Sequence, residues 1–177
     1  MRFLPELPNG HLYLLLAPRP LQRPLLNEFI ARLASQGELQ VLVCGNRFDA
    51  HDIARRLRRY TEMVDAALGR IHLARAFTCY QVLSLLRHHR LAVLPTIVTD
   101  LPDMFYDESV CQKERLKLFQ QSLEELQMLS RRVQTLISAI PSAHPARQPF
   151  LDLLQAQAET IWQLEAPVQV PLQLRLF

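Results

Sequence analysis

Leu39-Gln40-Val41-Leu42-Val43-Cys44-Gly45-Asn46 decides the fold. Apart from Gln40, every residue before the glycine is apolar, so both alternating faces are apolar. Such a run reads as a strand buried on both sides, the habit of a parallel sheet. Gly45-Asn46 breaks it. Asp49 is then a good N-cap for a helix whose Ile53, Leu57 and Tyr60 recur at helical spacing. A doubly buried strand that feeds an amphipathic helix is the repeating unit of an α/β layer structure.

The alternation extends both ways. Upstream, Asn9-Gly10 is a turn, and His11–Leu16 (HLYLLL) is another buried strand. Ala17–Pro24 holds three prolines and reads as a loop. Pro24 suits the first turn of a helix to Ser35, with Leu25, Phe29, Ile30 and Leu33 inward and Gly37 closing it. Downstream, Arg70–Ala74 is a strand, Cys79–His88 a helix, and Leu91–Thr99 a strand that closes at Asp100. Leu101–Cys111 is a loop. Lys113–Arg132 lacks Gly and Pro and is the longest helix, with Leu116, Phe119, Leu123 and Leu126 as its stripe. Val133–Ile140 is a strand, Pro141–Pro149 a loop and Phe150–Ala158 a short helix. Thr160–Glu165 and Val168–Phe177 close the chain as an antiparallel pair, with Pro171 placing the last strand at an edge. The expectation is one α/β domain over residues 1–177, with helices on both faces of a mostly parallel sheet.

Composition agrees. A chain of 177 residues buries a core without disulfides or metals. Hydrophobic residues at 49% and charged residues at 21% exclude a disordered or collagen-like chain. No apolar run is long enough for a membrane span, and Met1–Pro8 makes a poor leader, so a cytoplasmic location is expected. Cys44, Cys79 and Cys111 show no CxxC spacing and read as free thiols rather than zinc or redox ligands. His88-His89, flanked by Arg87 and Arg90, suits a helix C-terminus rather than a metal. The net charge of +3 permits a nucleic-acid partner without requiring one. Only Lys113 and Lys117 are lysines among the 20 basic residues. Four glycines, none after Gly69, leave little material for a glycine-rich phosphate loop.

Four segments carry a resemblance. They are Leu7-Pro8-Asn9-Gly10, Cys44–Asp49 (CGNRFD), His72–Thr78 (HLARAFT) and Thr96–Asp100 (TIVTD). ARAF is the most specific of them. Together with the order of elements, they resemble the core of the RecA/RadA recombinase family over about Leu7–Phe177. The resemblance implies a RecA-like three-layer αβα core with a mostly parallel sheet and a C-terminal antiparallel strand pair. It also implies descent from ATPases that assemble on DNA. The family's phosphate loop, GxxxxGK[ST], falls in register on Ala17, Gln22, Arg23 and Pro24, and all four key positions differ. Its water-orienting glutamate falls on Cys44, where a thiol cannot replace it. Asp100 stands where a magnesium-linked aspartate would be.

The resemblance therefore implies a pseudo-ATPase with no catalytic residues, cofactor or metal, an accessory or structural subunit in DNA repair or recombination. Two rivals are a protein like the SOS cell-division inhibitors, binding a cytoskeletal partner, and a nucleotide-binding enzyme with an unconventional site around Arg23 and Asp100.

The family's two DNA-contacting loops correspond to Leu101–Gln112 and Pro141–Pro149. The first carries Asp103, Asp107 and Glu108 and no basic residue, which repels phosphate. The second carries His144 and Arg147. Arg55, Arg56, Arg58 and Arg59 form the densest basic cluster, read either as a solvated face balanced by Asp49, Asp52 and Glu62 or as an anion or partner patch. The expected partners are a recombination or repair factor or a second copy, with DNA a candidate and no membrane. The family's polymerisation linker lies ahead of the core and is expected to be absent here. Association through an exposed sheet edge, such as Val168–Phe177, or a helix face is expected instead.

Overall fold

A computed structural model describes residues 7–8, 10–45, 47–89 and 93–165. In chain order the elements are β1 (Leu12–Leu16), α1 (Arg19–Gln36), β2 (Leu39–Cys44), α2 (Ala50–Leu57), α3 (Val64–Leu68), β3 (Ile71–Ala76) and α4 (Cys79–His89). There follow β4 (Thr96–Thr99), a 3₁₀ turn (Leu101–Phe105), α5 (Gln112–Ser130), β5 (Thr135–Ala139), α6 (Gln148–Gln157) and β6 (Thr160–Gln163). The strands form one sheet in the order β3-β2-β4-β5-β1-β6, and every described pairing is parallel.

Strand side chains alternate between two cores, as a period of two requires. Leu12, Leu14, Leu16, Leu42, Val98 and Ile137 pack with α4, α5 and α6. Tyr13, Leu15, Val41, Val43, Ile97 and Leu136 pack with α1, α2 and α3. The protein is thus a three-layer α/β structure. On the first face Phe119 of α5 meets Phe105 at 4.8 Å and Phe150 of α6 at 5.3 Å, both edge to face. On the second, Trp162 stacks on Tyr13 at 5.3 Å and Phe29 at 5.5 Å, which ties β6 to β1 and α1.

The structure departs from the expected elements at four places. α1 begins at Arg19, ahead of Pro24. Pro20 occupies its first turn, where an N–H has no intrahelical partner to lose. Pro24 lies inside the helix and gives up one bond. The connection from β1 shrinks to Ala17-Pro18. The helix expected to reach Tyr60 ends at Leu57 as α2, and a separate short helix, α3, follows at Val64–Leu68. Part of the expected Leu101–Cys111 loop is a 3₁₀ turn that buries Leu101 and Phe105. Finally, β6 pairs in parallel with β1, because α6 carries the chain back across the sheet as a crossover. No antiparallel pair occurs among the described residues, and Val168–Phe177 lies outside them. No described helix is long and apolar enough to cross a membrane.

Candidate functional site

Parallel strands put all their carboxyl ends on one edge of the sheet. From that edge β1 and β2 send the chain to α1 and α2 on one face. β4 and β5 send it to α5 and α6 on the other. A crevice opens where such connections diverge. Two cavities of about 480 and 290 Å³ meet there and share Arg47. Arg23, Asn27, Phe48 and Arg55 line the larger, together with Arg56 and the carboxylates of Asp49 and Asp52. Arg19, Cys44, Asp103, Met104, Tyr106 and Arg147 line the smaller.

Of the four positions that the resemblance sets against a phosphate loop, Ala17 and Gln22 are built for packing. Ala17 is buried, and its N–H donates to the Ala139 carbonyl at 3.3 Å. Gln22 is fully buried. Its Nε2 donates to the same carbonyl at 2.8 Å, and its Oε1 has no partner. The N–H groups of Leu21 and Gln22 both donate to the Pro18 carbonyl at 3.0 Å, and Pro20 has none to give. Of the backbone donors at this connection, those of Ala17, Leu21 and Gln22 are therefore spent, and Pro18 and Pro20 have none. Arg23 and Pro24 are exposed on the helix surface.

Asp100 sits at the end of β4 with φ 51° and ψ 41°, the one non-glycine residue at positive φ among those described. The Asp100 N–H donates to Ser138 Oγ at 2.9 Å. The residue is 6% exposed, and its Oδ1 is unpartnered. Burial first, then repulsion from Asp103, pushes its carboxyl up to about 6, against the pull of Arg47 and Arg23. Burial also raises Asp103, against Arg47 and Arg147, while Arg19 pairs with it at 3.1 Å. Cys44 is buried. Burial and the two aspartates push its thiol far up, so it is a neutral packing residue at physiological pH. Arg147, the N-cap of α6, lies over the Tyr106 ring at 4.7 Å.

The other predicted basic residues divide. His144 is held in its own turn, where Nδ1 accepts the Ala146 N–H at 3.3 Å. The α2 cluster is paired rather than free: Asp52 balances it as expected, and a carboxylate from α1 joins it. Arg56 donates to Asp52 at 2.7 Å and to Glu28 of α1 at 2.6 Å. Arg55 pairs with Asp52 and Arg59 with Glu28. Tyr60 Oη donates to Glu28 at 2.6 Å and Asn27 to Asp52 at 2.8 Å. Asp49 instead caps α2, accepting the Asp52 N–H at 2.9 Å. Arg58 remains exposed.

Burial alone would raise Asp52, but the bonds from Arg56, Asn27 and Arg55 hold its carboxyl far below the usual range. Burial likewise opposes a net lowering of Glu28 by Tyr60, Arg56 and Arg59. Both carboxylates add stability that is present at neutral pH and lost as pH falls below about 4. Glu28→Ala is expected to cost about 1–2 kcal/mol in urea unfolding at pH 7, less at pH 3. An equal cost at both pH values would show that the ion pairs contribute nothing.

Sequence reasoning did not select Arg19, Arg47 or Tyr106 as site residues. Arg19 was hidden in a presumed loop. Arg47 follows the glycine at the carboxyl end of β2, the position that a doubly wound sheet reserves for ligand contacts. Arg23 and Arg47 form no ion pair with a described residue. Among the described residues, no three His, Cys, Asp or Glu side chains are grouped to hold a metal ion. Fold and site together define a parallel α/β domain with an arginine-lined crevice at its carboxyl edge. No family model matches the chain, and no curated protein matches it.

Proposed function

We propose that this chain is a degenerate RecA-like core, a pseudo-ATPase that serves as an accessory or structural subunit in DNA repair or recombination. The observation that carries the reading is the two-residue connection between β1 and α1. A working phosphate loop needs several residues with free N–H groups between strand and helix. Here a proline-bearing helix starts at once, and Gln22 is packed against Ala139 where the loop would turn. Cys44 at the end of β2 adds support, since a neutral buried thiol cannot orient an attacking water. Phosphoryl transfer depends on positioning and charge stabilisation, so losing the cradle removes binding and rate together.

The enzyme alternative draws on one observation, the convergence of Arg23 and Arg47 on Asp100. Calorimetry with ATP and magnesium separates the two. The pseudo-ATPase gives no measurable heat of binding, and Arg23→Lys does not restore any, because Pro20 and Pro24 still deny backbone donors. A micromolar isotherm abolished by changing Arg23 or Asp100 would replace this reading with the enzyme. DNA binding assayed across salt concentrations separates a repair subunit that touches DNA from a protein like the cell-division inhibitors, which binds a cytoskeletal partner.

A further inference from the structure

We propose that the carboxyl-edge crevice is the docking groove for a protein partner, which inserts an acidic segment that interleaves carboxylates with aromatic or apolar side chains. The inference rests on the reading of this chain as a partner-binding subunit and names the surface that does the binding. Charge complementarity carries it. Arg23 and Arg47 face the crevice from α1 and from the segment after β2, with no ion pair to a described residue. Arg19 is only partly neutralised by Asp103, and Arg147 is held over Tyr106 by its ring face. Asp100 is near both Arg23 and Arg47, but no described carboxylate lies within ion-pair distance of either, so each guanidinium keeps an unfilled bidentate donor.

The groove is also apolar between its charges. Phe48, Met104 and Tyr106 line it half-buried. Its two cavities share Arg47 in their linings, so an extended segment laid across Arg47 places side chains in both.

The same observations disfavour a nucleic-acid strand. Asp103 stands in the groove, and Asp107 and Glu108 are exposed on the adjoining loop. A phosphodiester chain carries charge at every step and cannot avoid those carboxylates. A peptide places its acids only opposite the arginines. With the Ala17, Leu21 and Gln22 N–H groups spent, the β1–α1 connection offers little that favours phosphate over carboxylate. Part of the ordering cost is already met, since Arg19 and Arg147 are held by Asp103 and Tyr106 before a partner arrives.

The test is fluorescence anisotropy of the full chain with a labelled glutamate–tyrosine copolymer, with labelled polyglutamate and oligothymidylate as the other arms. The copolymer is expected to bind most tightly, with an affinity that falls as salt rises. Arg47 is exposed, so Arg47→Glu leaves the core intact. It is expected to weaken the copolymer by about tenfold or more. Arg47→Lys, which keeps the charge and loses the fork, falls between. Arg132→Glu makes the same charge change just ahead of β5, at the opposite edge of the sheet, and is expected to change affinity by less than about twofold.

Tighter binding of oligothymidylate than of the copolymer, equal losses in Arg47→Glu and Arg132→Glu, or no copolymer binding would each overturn the groove. Added ATP and magnesium distinguish the two levels of the argument. Displacement of the copolymer by ATP would remove the pseudo-ATPase reading and leave the groove standing. Failure of the copolymer to bind, with ATP also inert, would remove the groove alone.

Discussion

An Asp100→Asn protein is expected to be more stable than the parent at pH 7 by about 3 kcal/mol, and no more stable than the parent below pH 4. The Asp100 carboxyl is 6% exposed, has an unpartnered oxygen and faces Asp103. Its pKa rises from an ordinary 3.8 to about 6, so the folded state holds the proton more tightly than the unfolded state does. The stabilisation from that proton is complete below the unfolded value and is lost as pH climbs through about 6. Asparagine removes the charge while filling the same space, and it tolerates the left-handed backbone at φ 51°, so no new strain confuses the comparison. Thermal unfolding at pH 7 should show a rise of about 6–12 °C for a chain of this size. The gap between variant and parent should close as the buffer is taken to pH 4. A variant that is less stable than the parent in magnesium buffer at pH 7 would mean that the carboxylate holds a cation, which would revive the enzyme alternative.

The largest loss is expected from Phe119→Ala, at about 3–5 kcal/mol. Phe119 is fully buried on α5, with Phe105 and Phe150 edge to face against it at 4.8 and 5.3 Å. Removing the ring takes away its transfer free energy and both aromatic contacts, and neighbours fixed on the 3₁₀ turn and α6 cannot collapse into the space. Phe119→Leu keeps most of the volume and is expected to cost about 1–2 kcal/mol. The effect should reach the crevice. Phe105 ends the 3₁₀ turn that carries Asp103, and Phe150 lies on the helix that Arg147 begins. The alanine variant should therefore also weaken copolymer binding, while the leucine variant retains it. Urea unfolding monitored by circular dichroism measures the stability part. A loss below about 1 kcal/mol for Phe119→Ala would show that this core is loosely packed.

Elements with a strong local period were legible. LYLLL and LQVLVC are apolar on both faces and are buried strands, while of the expected Leu91–Thr99 run only TIVT is a described strand. Asp49 was legible as a cap because an N-cap bond spans three residues of chain. The start of α1 was not. Three prolines argue for a loop by count, yet two of them are compatible with a helix that Gln22 anchors on Ala139, far away in sequence. The α2 arginine cluster was legible in part. Asp52, on the same helix, pairs with Arg55 and Arg56 at local spacing, but the second anion, Glu28, comes from another helix.

By itself the sequence determined the α/β class, the two-sided burial of the central strands and the proline-bearing, glycine-free character of Ala17–Pro24, because burial period and residue chemistry are local properties. Only the tertiary structure decided the strand order, the parallel placing of β6, the pairing of Glu28 with the α2 arginines and the gathering of Arg19, Arg23, Arg47 and Arg147 along one edge. Those four arginines come from three connections spread over most of the chain. Parallel strands that all end at one edge bring them together, and no spacing along the chain records that convergence.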